Sequence, residues 1–329
     1  FYPADCGDGI VFFREGKNGT ERTAITATLD NVIDTSLAVT LGSGENSFQL
    51  QTVEHLLYAL FVLGITDIAI EVEGGKEVPI ADGSAGPFIR SLQQLELHQY
   101  TERVKPLVVT RPVSVTDGER YLVAMPAREF QVSYYIDYPH PLLKNQAVQL
   151  GYEDLVFTET IGFARTFGFM KDVEYLRSRG LAQGGSVDNA VIYMPDGTTL
   201  NDFRFERESV YHKILDLIGD LALVGRPIQG HILGARGGHA LDVAFGKKLL
   251  AAFGPLALQP GELRGQRDDL LVEFLSSVEP VLAGIGVGAE IADQEPRHRV
   301  EGEPGEDRFE SATRDHGGPK DGAAGLMDR

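Results

Sequence analysis

The chain has 329 residues, a formal net charge of −18, 43% hydrophobic and 24% charged residues, and one cysteine. Its length suffices for two ordinary domains with a sizeable core. The acidic balance excludes a nucleic acid as main partner, since counterion release needs clustered Lys and Arg, and the lone Cys6 excludes an intrachain disulfide.

The chain opens with β patterns: GIVFF, TAITATLDNVI, SLAVTLG and SFQLQ. TVEHLLYALFVLG then predicts a helix, with Thr52 as N-cap and Gly64 as stop. DIAIEVEG is a further strand, and after the turn-rich IADGSAGP a helix is expected from about Phe88 to Leu97. Polarity rises and the apolar pattern lapses across HQYTERVKP. A domain boundary is placed there, between a first α+β domain over 1–102 and a second over 106–252.

The second half repeats the coarse order. PLVVT, VSVTDGERYLVAMP and FQVSYYIDY read as strands, MKDVEYLRSRG as a short helix ending at Gly180, and SVDNAVIYMPDGTTLND as strand and turn. A helix, or a strand feeding one, follows GGHALD to about Ala252. The pattern predicts the α+β class, with a sheet and helices on one face in each half. Residues 253–292 read as a partly helical extension, and 293–329 as a disordered acidic tail without apolar periodicity. No apolar run approaches the roughly 20 residues that span a bilayer, and no basic-then-apolar leader is present, which predicts a cytoplasmic protein acting on a small molecule.

Candidate chemistry starts at YHKILDLIGDL, where His212, Asp216 and Asp220 follow one another at steps of four on one helical stripe. Imidazole and carboxylate one turn apart can meet one zinc ion, although such a pair alone is usually a surface pair. His55 stands among Leu56, Leu57, Leu60 and Phe61, with Glu54 before it. An ionisable pair beside a core-forming run is costly unless bonded or metal-bound, and a Glu near a metal site suits a general base. His239 follows two glycines that leave room for a substrate, and it reads equally as a helix N-terminal residue. Asp220 could orient such a histidine, Thr166 could offer a hydroxyl to an oxyanion, and Lys213 could bind an anion.

Taken together, TVEHLLYALFVLGI, VPIADGSAGPF, ARTFGFMKDVEYLRSRGLAQGGSVDNAV, FRFERESVYHKILDLIGDLALVG and ARGGHALD resemble the UDP-3-O-acyl-N-acetylglucosamine deacetylases, zinc amidases of lipid A synthesis, in the family's order to about Leu250. The resemblance implies two similar α+β domains with helices sandwiched between two outer sheets and the active site between the domains. It implies one Zn2+ held by His55, His212 and Asp216, and Glu54 as general base for the attacking water. Thr166 would help hold the oxyanion, His239 stabilised by Asp220 would protonate the leaving amine, and Lys213 would bind substrate. An insert over about 167–189 would form an acyl-chain passage lined by Met170, Val173, Leu176 and Ser186, with Phe167 against the substrate.

The sequence departs from the family at three points. A G-x-G-x-H-x-G-type opening strand does not precede Phe1, Asp242 stands where the family usually has Asn, and the chain continues past the family's usual end. The implied partner is the UDP-linked acyl sugar, with the protein expected to act as a monomer. Two other readings stay open: a zinc amidohydrolase for another acylated amine, and a catalytically dead sugar-nucleotide-binding homologue.

Overall fold

The computed structural model describes residues 1–254 apart from 16–21, 43–47, 158 and 179–183, and gives only the backbone of 155–157, 159, 174, 176 and 177. Phe1–Ser276 form one compact unit. The second unit, Ser277–Arg329, lies outside the described residues, as do the expected C-terminal helix and tail.

The first half contains strands β1 (Ile10–Glu15), β2 (Arg22–Thr26), β3 (Val32–Asp34), β4 (Thr40–Gly42) and β5 (Gln49–Gln51), helix α1 (Glu54–Val62), strand β6 (Ile68–Glu71) and helix α2 (Gly86–Leu92). Next come β7 (Leu107–Val108), β8 (Val113–Asp117), β9 (Arg120–Met125), β10 (Gln131–Ile136) and β11 (Gln146–Leu150), then the short helices α3 (Tyr152–Phe157) and α4 (Glu159–Gly162). The chain continues through β12 (Thr166–Phe169), α5 (Met170–Ser178), β13 (Ala190–Tyr193), α6 (Glu208–Ala222), β14 (Ile228–Gln229), β15 (His231–Ala235) and α7 (His239–Phe253). Mixed helices and sheets bear out the α+β class.

The largest sheet runs β11-β10-β15-β9-β8, antiparallel except where β10 meets β15. A three-stranded sheet runs β2-β1-β6, with β1 and β6 parallel, and an antiparallel sheet runs β3-β4-β5. Parallel neighbours need a crossover. The crossover from β1 to β6 contains α1, and that from β10 to β15 contains α6.

Alternation places Val132, Tyr134 and Ile136 of β10 in the core and leaves Gln131, Ser133 and Tyr135 partly exposed. Helices α6 and α7 pack on this sheet, α1 packs on α6, and α2 on α1. One hydrophobic cluster takes in Phe12, Ile25 and Ile70 of the β1 sheet, Leu57 and Leu60 of α1, Leu215 and Ile218 of α6, and Ile232 of β15.

Helix α1 is buried at every position but Phe61, as an all-round apolar helix must be. It ends as Gly64 was expected to end it. Gly64 takes φ +68°, its N–H bonds the Phe61 carbonyl and Ile65 N–H bonds the Leu60 carbonyl, the paired Schellman closure. The start differs from expectation. Val53, not Thr52, precedes the helix without a side-chain cap: Thr52 takes φ +60°, outside the extended region an N-cap residue occupies, and its hydroxyl donates to Glu77 at 2.8 Å. Helix α2 is also earlier and shorter than the stretch to Leu97, with Pro87 in its first turn and its end at Leu92.

Candidate metal centre

The polar stripe of α6 does not face solvent. His212, Lys213, Asp216 and Asp220 are all buried, which rules out the reading as a surface pair. His212, Asp216 and Asp220 face α1, and the closeness of the two helices rests on Gly219. A Cβ there would stand 2.2 Å from the Glu54 carbonyl oxygen, a backbone atom that cannot swing aside. Glycine lets the first turn of α1 sit against the middle of α6, carrying Glu54 and His55 to Asp216 and Asp220.

Two clusters result. One ligand atom each from His55, His212 and Asp216 lie within 4.8 Å of one another, and so do those of Glu54, Asp220 and His239. In the first cluster Asp216 Oδ1 is 3.4 Å from His212 Nε2 and 3.8 Å from His55 Nε2. Donors 2.0–2.2 Å from a tetrahedral ion lie about 3.4 Å apart, so the spacing suits one divalent metal. His212 Nδ1 is 2.9 Å from the Ala164 carbonyl, which fixes the proton on Nδ1 and presents the Nε2 lone pair. The His55 ring stacks edge-on against His212 at 5.1 Å.

Electrostatics favour the same protonation states. Burial, then His212, push His55 down to about 3, and burial also lowers His212, so both imidazoles are neutral. Burial alone would raise Asp216, but His212 and Lys213 outweigh it and hold the carboxylate well below its usual range. Neutral imidazoles and an ionised carboxylate are the forms that bind a metal. Lys213 Nζ donates to Asp216 Oδ2 at 2.9 Å, leaving Oδ1 toward the histidines. Burial opposes the Lys213 charge, yet Asp216, Tyr134 and Asp242 keep its pKa well above the ordinary value.

In the second cluster Glu54 Oε1 accepts from the Val39 N–H and lies 3.6 Å from His239 Nδ1. Burial pushes Glu54 up to about 8, with Asp220 adding to it against the pull of His239. His239 opens α7 and hydrogen-bonds Asp220 Oδ2 through Nδ1 at 2.8 Å. Thr166 opens β12, between Arg165 and Phe167, and its N–H bonds the Gly83 carbonyl. The Phe167 ring lies 6.5 Å from that of His212 and packs on Tyr138 and Tyr193.

The insert is less gathered. Met170 and Val173 stand half-buried on α5, Ser186 is exposed in the turn before β13, and the Leu176 side chain lies outside the described residues. Met170, Val173 and Ser186 line neither the cavity of about 420 Å³ nor that of about 310 Å³.

The sequence reading missed two sets of residues. Arg165 and Glu208 form a buried bidentate pair, Nε to Oε1 at 2.8 Å and Nη2 to Oε2 at 3.1 Å, beside the Ala164 carbonyl that holds His212. The larger cavity is lined by Arg120, Arg236, Lys213, Tyr138 and Asp137, so three cations meet at the edge of the metal cluster. Arg236 had one sequence signal, its place in ARGGHALD, and it takes φ +53° there.

The family model described as UDP-3-O-acyl N-acetylglycosamine deacetylase matches residues 1–251. A protein of Leptospira biflexa named UDP-3-O-acyl-N-acetylglucosamine deacetylase is 43% identical over 250 residues, covering 76% of this chain and 82% of its own length. Proteins of the same name from Thermodesulfovibrio yellowstonii and Myxococcus xanthus are 41% and 42% identical, covering 75% and 76% of this chain and 82% and 78% of their own. With its buried donor set and a match along three quarters of its length, the chain belongs to the UDP-3-O-acyl-N-acetylglucosamine deacetylase family, hydrolytic deacetylases that act on an amide bond.

Proposed function

We propose that the chain removes the N-acetyl group of UDP-3-O-acyl-N-acetylglucosamine as acetate, a step of lipid A synthesis, using one zinc ion. The observation that carries the reading is the donor set of His55, His212 and Asp216 lying directly against Glu54, Asp220 and His239. Two imidazoles and one carboxylate suit zinc, and a closed structural site would ordinarily use four protein donors. Zinc bound there supplies Lewis acidity and lowers the pKa of water toward about 7.

The chain's own residues divide the proton work. Glu54, raised toward neutrality and anchored by the Val39 N–H, takes the proton of the attacking water. His239, oriented by Asp220, gives a proton to the departing amine. We assign the Thr166 hydroxyl to the oxyanion, a role worth roughly 3 kcal/mol for one such donor. Lys213 serves twice, tethering Asp216 and presenting charge to the cavity.

That cavity suits the UDP moiety. Arg120, Arg236 and Lys213 can meet the two phosphates, and Tyr138 offers a ring face. We assign the acyl chain to Phe167, Met170, Val173, Leu176 and Ser186. We also read residues 1–102 and 106–252 as two α+β halves, supported by the parallel pair that brackets an inner helix in each. No helix among the described residues is long and apolar enough to cross a membrane, and we read the enzyme as cytoplasmic and monomeric.

The test is acetate release from UDP-3-O-acyl-N-acetylglucosamine by the purified chain, abolished by a chelator and restored by zinc. No release from zinc-loaded protein would overturn the reading.

A further inference from the structure

The four-residue ladder of α6 extends one step toward its N-terminus, to Glu208, which stands in the first turn and is fully buried. A carboxylate taken out of water needs its oxygens filled. Oε1 accepts from the backbone N–H of Arg165 at 3.0 Å and from Arg165 Nε at 2.8 Å. Oε2 accepts from Arg165 Nη2 at 3.1 Å and from the Arg204 backbone N–H at 2.8 Å.

The guanidinium balances the charge, but the backbone bond reaches further. The Arg165 N–H shares a peptide unit with the Ala164 carbonyl, which accepts from His212 Nδ1 at 2.9 Å. An amide whose N–H is bonded to an anion has a more negative carbonyl oxygen, because hydrogen bonds in a chain polarise one another. Glu208 and His212, one turn apart on α6, are thus joined through one peptide of another segment. That segment is pinned on both sides. Thr166 N–H bonds the Gly83 carbonyl at 2.8 Å, Ala164 N–H the Ile161 carbonyl at 3.1 Å, and Arg204 Nη1 the Phe163 carbonyl at 3.0 Å. The His55 ring has no such support: its Nδ1 is buried without a partner among the described residues.

We infer that Glu208 is a positioning residue for His212: through the Arg165 N–H it aims the Ala164 carbonyl at Nδ1 and strengthens that bond, which orients the ring and makes Nε2 a better donor to a metal. The effect on metal rests on the proposed zinc site; the effect on the hydrogen bond does not.

The test compares the full wild-type chain with Glu208→Gln and with the double variant Arg165→Met/Glu208→Leu, each shown to be folded by urea unfolding. Two quantities are read. One is the proton resonance of the His212 ring N–H in zinc-free protein with nitrogen-labelled histidine, assigned by its loss in His212→Gln. The other is the zinc Kd from chelator competition. Glu208→Gln, which keeps an acceptor and loses the charge, should move the resonance upfield and raise the Kd roughly 10-fold. The double variant removes the acceptor and leaves no buried charge unpaired, and it should raise the Kd roughly 100-fold. If the resonance stays in place, or if the folded variants bind zinc as wild type does, the pair only holds the fold together and the inference fails. A wild type that takes up no zinc overturns the proposed metal centre, and the resonance then decides the inference alone.

Discussion

Helices α1 and α6 are both buried almost all round, yet they bring their site residues by different means. Helix α6 carries a ladder of His212, Asp216 and Asp220 along one stripe, so its own periodicity aligns them. Helix α1 supplies adjacent residues, Glu54 and His55, which point different ways: His55 to the metal cluster and Glu54 to His239. Its contribution depends on where its first turn touches α6, at Gly219. One helix has the site written in its spacing, and the other has it only through packing.

That asymmetry can be tested by substitution. Glu54→Gln should keep zinc and lower turnover roughly 100- to 10,000-fold, the range for a missing general base. Unchanged turnover would remove Glu54 from the mechanism. Gly219→Ala should destabilise the fold by about 3 kcal/mol and lower zinc content, since the new methyl meets backbone rather than a side chain that can move. Urea unfolding and metal analysis check it, and wild-type values in both would mean the helices can separate freely.

A smaller effect is expected from Asp242→Asn. The Asp242 carboxyl sits at about 7 in the folded chain against an ordinary value of about 3.9, so the folded form binds its proton more tightly. Its contribution is fully present below pH ~4 and is lost as pH rises through about 7, on the order of 4 kcal/mol in all, of which roughly 2 to 3 kcal/mol falls between pH 5 and pH 7. Wild type should lose more stability than Asp242→Asn between pH 5 and pH 8, measured by urea midpoints; parallel losses would mean that Asp242 binds its proton no more tightly in the folded chain than in the unfolded one. The smallest effect is assigned to Ser186→Phe, about 1 kcal/mol in kcat/KM with long-chain substrate and less with short. Equal impairment of both would separate Ser186 from the acyl passage.

The sequence carried the α6 ladder, the α1 pair and the α+β class, because apolar periodicity and four-residue spacing are local properties. It could not carry the meeting of Glu54 with Gly219, since an interior glycine in a helix looks like a weak helix former until the partner backbone is seen. Arg165 and Glu208 were unreadable for the same reason: each is an ordinary charged residue until burial forces them together. The Thr52 cap failed because Thr52 is held at φ +60°, with its hydroxyl donating to Glu77 of a distant turn, a tertiary constraint that no local pattern shows. Arg120 and Arg236 join one cavity only because β9 and β15 are neighbours in the sheet.

The most direct measurement is zinc content per chain for the full protein and for His55→Ala, His212→Ala and Asp216→Ala. One zinc is expected in the wild type and a marked loss in each variant, including His55→Ala, whose residue comes from the other helix. Full zinc in any folded variant would contradict the assignment of that residue, and a wild type without zinc would contradict a metal centre built between α1 and α6.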